Sequence, residues 1–199
     1  MRVLIIGATG TVGSAVAAAL GARHDLVLAS LQRAPERVDI TDAASLRALF
    51  ARVGRVDAIV SAAGRAAWKP LTELADDDFQ LSLSHKLMGQ VNVVRIGIES
   101  VADRGSITLT AGFLSRFPAP GSAAVSLVNS ALEGFGRAAA LEAPRGIRVN
   151  VVSPPWLTET LQKLGRPLTG GIPAAQAARS YVRSVEGSET GQVFDPREP

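Results

Sequence analysis

The run Gly7-Ala8-Thr9-Gly10-Thr11-Val12-Gly13 follows a short apolar stretch and opens a helix-like one. This spacing suits binding of a dinucleotide rather than cleavage of a bond. Glycine at 7 permits a tight turn, glycine at 10 lets backbone approach a pyrophosphate, and glycine at 13 lets helix and strand pack closely. Amides at the helix start would face the anion, so Thr9, Thr11 and Val12 join the three glycines as expected contacts. Other reactive side chains are scarce. There is no cysteine, and the two histidines, His24 and His85, fall in different elements. No thiolate, no serine–histidine–acid set and no metal-ligand spacing is expected. Asp76-Asp77-Asp78 precedes a helical stretch whose dipole it complements, which accounts for the three acids without catalysis.

Short apolar runs at 3–6, 26–29, 58–60, 107–109 and 149–152 alternate with stretches at 43–53, 77–102 and 122–143 whose apolar residues recur at three and four spacing. Strands covered by helices on both faces read as continuous Val/Ile/Leu runs. The expected fold is therefore α/β, a doubly wound parallel sheet of about seven strands in a Rossmann arrangement. A length of 199 residues suits one domain over 1–199. Thr41-Asp42 is a cap signal for the helix at 43–53, and Pro154-Pro155 ends the strand at 149–152. The Gly- and Pro-rich segment 165–173 is the expected mobile flap.

Hydrophobic residues make up 47% of the chain and charged ones 20%, the balance of an ordinary globular domain. No apolar run approaches the roughly 18 residues of a membrane span. The net charge of +3 is spread along the chain, so neither nucleic acid nor a membrane is an expected partner. The apolar run at 3–6 is too short for a signal-peptide core, and a cytoplasmic protein is expected.

Further motifs follow the glycine loop in order: Val38-Asp39-Ile40-Thr41-Asp42, Ser61-Ala62-Ala63-Gly64, the run from Pro144 through Asn150 to Pro154, and Thr190-Gly191-Gln192-Val193. Together they resemble the short-chain dehydrogenase/reductase family over nearly the whole chain. The resemblance implies that Asp39 and Ile40 meet the adenine, although Asp39 also suits a turn cap. It implies that Ala62, Ala63 and Gly64 form a strand end beside the cofactor, and that Pro154, Trp156, Leu157 and Thr158 border the nicotinamide. The second strand ends in Ser30-Leu31-Gln32-Arg33, with no acid to bond a ribose 2′-hydroxyl. Arg33 can pair with a 2′-phosphate, which favours NADP(H). A solvated loop arginine is the other reading, because Arg33 lies slightly later than the family's usual base.

The family's catalytic pattern is not followed. It uses a Tyr-x-x-x-Lys pair, in which the ammonium makes the tyrosine a better acid for the carbonyl oxygen. The resemblance puts Val125 and Asn129 at those two positions, and Thr110 just before the position of the family's serine. Lys86 replaces an asparagine of the fourth helix. Its ammonium would polarise a carbonyl or donate a proton if desolvated, or simply snorkel from a helix surface. Lys86 and Thr110 are thus the catalytic candidates, and Phe113, Leu114, Val125 and Asn129 the substrate-facing ones. Tyr181, the single tyrosine, is expected far from the chemistry. The expected activity is an atypical NADP(H)-dependent reduction of a small carbonyl or imine compound. The alternatives are a noncatalytic NADP(H)-binding sensor or scaffold, and an isomerase or lyase that keeps the cofactor as scaffold. The resemblance further implies a homodimer through the fourth and fifth helices.

Overall fold

A computed structural model describes residues 1–198; Pro199, the last residue of the expected domain, lies outside them. In chain order the elements are β1 (Arg2–Ile6), α1 (Thr11–Leu20), β2 (Asp25–Ser30), β3 (Glu36–Arg37), α2 (Ala43–Val53) and β4 (Val56–Ser61). There follow α3 (Asp76–Ser82), a π turn (Leu83–Met88), α4 (Gly89–Gly97), β5 (Val101–Thr110), α5 (Ala123–Glu142), β6 (Arg148–Val152), α6 (Thr158–Lys163), α7 (Ala174–Glu186) and β7 (Val193–Phe194). The seven strands pair in parallel in the order β3-β2-β1-β4-β5-β6-β7. This is the doubly wound sheet expected from the apolar runs.

Alternation along β1 divides the core. Leu4 and Ile6 face a cluster with Leu46 and Phe50 of α2, Val93 of α4 and Leu132 of α5. Val3 and Ile5 face the opposite way, onto Val16 and Leu20 of α1 and Tyr181 and Val185 of α7. Burial on both faces explains the Val, Ile and Leu that recur along β1, β4 and β6. The chain moves outward from β1 to β2 on one side and crosses to β4 on the other, so the loops after β1 and β4 diverge. Such a switch point opens a crevice at the carboxyl ends of the strands.

Helix α2 has the expected bounds, and the Asp42 carboxylate caps it by accepting from the Ala44 amide at 2.8 Å. Three elements differ from expectation. Strand β3 is a two-residue edge without an apolar run. The stretch 77–102 is not one helix: the π turn separates α3 from α4, and residues from Val101 onward already belong to β5. A register shift between β4 and β5, and Arg104 at φ 62°, mark the irregular first half of β5. Segment 165–173 carries no helix and is joined to the body by a bridge between Leu157 and Ile172. Among the described residues no helix is long and apolar enough to cross a membrane.

Candidate cofactor and active-site cleft

The glycine loop closes on itself in a way that fixes two of its three glycines sterically. Gly7 has φ +88°, and a Cβ there would fall 2.6 Å from the Ala62 carbonyl oxygen at the end of β4. A Cβ on Gly13 would fall 2.1 Å from the Gly7 carbonyl oxygen. Gly10 is different, since the nearest atom to its Cβ would be the Gly7 oxygen at 3.4 Å. Its free side opens outward at the N-terminus of α1, where no side chain caps the helix. The first-turn amides and the helix dipole are therefore available to an anion.

Two joined cavities run along this edge of the sheet, one of about 240 Å³ and one of about 730 Å³, sharing Ala62, Ala63, Gly64 and Arg65 as a neck. Gly7, Thr9, Gly10, Ser30, Asp39 and Ile40 wall the smaller. Val12, Lys86, Thr110, Phe113, Leu114, Val125, Asn129, Pro154, Trp156 and Leu157 wall the larger. Thr11, Gly13, Arg33 and Thr158 wall neither. Ser30 Oγ accepts from the amides of Arg33 at 3.0 Å and Ala34 at 2.9 Å, tying the turn after β2 and leaving the Arg33 guanidinium exposed. Thr158 begins α6, and its amide is taken by the Ile172 carbonyl at 2.9 Å; Thr160 faces the cleft instead. Asp39 Oδ1 accepts from the Thr41 hydroxyl at 2.7 Å and the Thr41 amide at 2.9 Å. The Thr41 hydroxyl is the main cause that holds this carboxyl below the usual range. Asp39 thus makes the turn cap and walls the smaller cavity at once.

In the larger cavity lie the side chains expected to bear on catalysis. Lys86 sits in the π turn, where its ammonium donates to the Ala111 carbonyl at 3.1 Å. Burial pushes that ammonium down from the ordinary 10.5 to about 8, and no Asp or Glu walls the cavity to restore it. Gly64, at φ +138°, lies so close that a Cβ would stand 3.0 Å from Lys86 Cα. Thr110 Oγ1 donates to the Ser61 carbonyl at 2.7 Å and lies 2.9 Å from the Tyr181 hydroxyl. Its one proton is therefore engaged by Ser61, and Tyr181 is the donor in the second contact. Tyr181 is fully buried, and burial raises its phenol above the ordinary 10, so the proton stays on it. The only tyrosine thus stands one hydrogen bond behind the cleft, not remote from it as its place in the sequence implies. Asn129 is 1% exposed and its Oδ1 has no partner.

Buried Glu133 of α5 ties two walls together. One of its oxygens accepts from the hydroxyls of Ser115 and Ser153, each at 2.6 Å, so the loops after β5 and β6 are joined through a helix side chain. Four residues at the cleft escape the sequence motifs. Arg65 lines the neck and donates to His85 Nε2 at 3.1 Å. Lys163 donates to Thr11 Oγ1 at 3.2 Å, beside the start of α1. Trp68 packs against Trp156 with ring centroids 5.2 Å apart, and the Arg166 guanidinium lies over both rings. These residues come from loops and from one short helix, where no periodicity marks them. No group of three or more His, Asp or Glu residues that could hold a metal ion occurs among the described residues.

The family model described as enoyl-(acyl carrier protein) reductase matches residues 11–193. The protein lin1944 from Listeria innocua is 42% identical in sequence, with a TM-score of 0.95 over 98% of each chain. A small-chain dehydrogenase solved in complex with NADPH is 25% identical, with a TM-score of 0.86 over 98% of this chain and 95% of its own. Hydroxynaphthalene reductase arp2 of Aspergillus fumigatus is 28% identical over 123 residues, 59% of this chain. The chain spans less than half the length of the first curated relatives it matches. The matched residues begin at α1 and end in β7. The chain accordingly belongs to the short-chain dehydrogenase/reductase family, within the group that this family model describes.

Proposed function

We propose that the chain is an atypical, cytoplasmic NADP(H)-dependent reductase of a small, largely apolar carbonyl or imine compound, with Lys86 as proton donor. The observation that carries this reading is the Lys86 ammonium, in a cleft wall without acids and pushed down to about 8 by burial. A group with that acidity gives up a proton near neutral pH far more readily than an ordinary lysine. Thr110 is assigned a positioning role, because its proton is held by Ser61. Val125 and Asn129 take the places of the family's usual tyrosine and lysine, and face substrate with Phe113 and Leu114.

The free side of Gly10 and the uncapped start of α1 fit a pyrophosphate. The loop from Gly7 to Gly13 would hold it, with Lys163 beside Thr11 as an added cation. Asp39 and Ile40 would border the adenine, while Ala62, Ala63, Gly64, Pro154, Trp156 and Leu157 would flank the nicotinamide. Bound NADPH supplies a hydride. Lys86 delivers the matching proton to the carbonyl oxygen, and the apolar walls exclude water from the reacting carbon.

NADPH binding followed by fluorescence, and NADPH consumption with a panel of aldehydes, ketones, quinones and imines, test the reading. Tight binding without turnover across the panel would move the assignment to an NADP(H) sensor or scaffold. The exposed Arg33 guanidinium is the partner proposed for the 2′-phosphate. Arg33→Ala is expected to weaken NADPH binding about tenfold, the scale of one solvent-exposed charge-assisted hydrogen bond, and to leave NADH binding unchanged in the same titration.

A homodimer through α4 and α5 is part of the proposal. Helix α5 exposes Leu127 and Leu141, the latter 90% accessible, and between them Gly134 has open space where a Cβ would be. Small residues permit close helix approach. Gly134→Arg is expected to convert a dimer to a monomer in sedimentation velocity, and an unchanged sedimentation coefficient would remove α5 from the interface.

A further inference from the structure

The larger cavity is walled by three cations, Arg65, Lys86 and Arg166, and by no acid. Two of them are already engaged, Arg65 with His85 and Lys86 with the Ala111 carbonyl. Arg166 is not. Its guanidinium carbon lies 5.4 Å from the Trp68 ring centre and 5.7 Å from that of Trp156. Among the described residues no carboxylate stands within ion-pair distance of it, although Arg23, Arg52, Arg145 and Arg183 each have one.

Both the platform and the cation are held in place. Gly121, at φ +85°, leaves room for Trp68, since a Cβ there would fall 2.8 Å from the indole nitrogen, and the Lys69 amide next along bonds the Gly121 carbonyl at 3.1 Å. The Arg166 amide donates to the Leu161 carbonyl at 2.9 Å. A guanidinium over aromatic faces is stabilised by them, and its donors lie in its own plane, at the edge. That edge matches the two oxygens of a carboxylate. Arg166 walls only the larger cavity, whereas Gly7, Thr9 and Gly10, the loop residues that would meet a pyrophosphate, wall the smaller one. It therefore stands at the nicotinamide and substrate end of the cleft, away from the pyrophosphate.

We propose that the larger cavity selects a compound carrying a carboxylate on a short apolar chain, and that Arg166, seated on Trp68 and Trp156, recognises that carboxylate. Phe113, Leu114 and Leu164 supply apolar wall for the chain. Calling the compound a substrate rests on the reductase reading above; the carboxylate site does not.

Trp68 and Trp156 are the only two tryptophans of the protein, so with NADP⁺ held at saturation a change in intrinsic indole fluorescence reports on this site. The experiment titrates hexanoate, hexanol and hexyl phosphate into the full chain at saturating NADP⁺, for the wild type, Arg166→Met and Arg166→Lys. Hexanoate is expected to bind at least tenfold more tightly than hexanol. Arg166→Met should abolish that ratio while NADP⁺ still binds as to the wild type, which also shows that the variant is folded. Arg166→Lys should restore part of it. Equal affinities for hexanoate and hexanol in the wild type would overturn the proposal. So would a ratio that survives Arg166→Met, or a loss confined to NADP⁺ affinity, which would assign Arg166 to the cofactor. Hexyl phosphate binding tenfold more tightly than hexanoate would overturn it in favour of a phosphate ester. None of these probes has to react, so absence of NADPH oxidation with every carbonyl compound would sink the reductase reading and leave the titration decisive for Arg166.

Discussion

Lys86→Met is expected to lower kcat/KM for reduction at least 100-fold at pH 7, the lower range for loss of a general acid, with NADPH affinity unchanged. Because only the protonated amine donates, the wild-type rate should fall as pH rises through about 8, the acidity that burial confers on Lys86. A residual rate in the variant should lack that limb. The same substitution has a signature in stability. Below pH 8 the ammonium is charged in both the folded and the unfolded chain, and the folded chain bears the desolvation cost. Between about 8 and 10.5 the folded protein sheds the proton first, and stability rises with pH because the unfolded chain binds more protons. At about 1.4 kcal/mol per pKa unit the buried charge costs on the order of 3 kcal/mol, and losing the bond to Ala111 offsets about 1 kcal/mol. Lys86→Met should therefore be the more stable protein by about 2 kcal/mol at pH 7, with the gap closing toward pH 10.5. Urea denaturation at the two pH values measures this, and a gap independent of pH would show that the charge is not the cause.

The second large effect separates two glycines three residues apart. Gly13→Ala places a methyl group 2.1 Å from a backbone oxygen of the same loop, and neither strand β1 nor helix α1 can yield without unpacking Val3, Ile5 and Val16. Overpacking against backbone should cost at least about 3 kcal/mol, or roughly 8 °C in Tm for a domain of this size. Gly10→Ala meets only a 3.4 Å contact, and Gly10 has φ −81° and ψ 171°, open to any residue. Its Tm should change by no more than about 3 °C, yet NADPH affinity should fall at least tenfold because the methyl group occupies the pyrophosphate's place. Calorimetry and NADPH titration on both variants test the division. Equal losses of affinity at equal Tm would mean that the loop does not carry the cofactor as assigned.

The legible part of the protein is the part that physics writes locally. Buried strands announce themselves as apolar runs because helices cover both faces, and the loop from Gly7 to Gly13 announces itself because two of its glycines are sterically obligatory. Strand β3 left no such trace, being two residues, Glu36 and Arg37, at a sheet edge. The break at Leu83–Met88 was hidden because a π turn keeps a helical composition. Arg166 and Trp68, about a hundred positions apart, meet only because the sheet brings their loops to one edge. Tyr181 reads as remote from the cleft for the same reason, since α7 packs its hydroxyl onto β5 from the far side of the core.

The π turn bears on how such a site is acquired. A π turn accommodates a residue that an α-helix of the same span would exclude, and each residue turns a helix by about 100°. Removing one position between Leu83 and Met88 would let α3 run into α4 as a regular helix and swing the Lys86 side chain away from Ala111. A single codon gained or lost there would thus be enough to bring the Lys86 ammonium into the cleft or take it out, with the sheet and the glycine loop untouched. Relatives that share the glycine loop are expected to divide by helix length at this point rather than by any change in that loop.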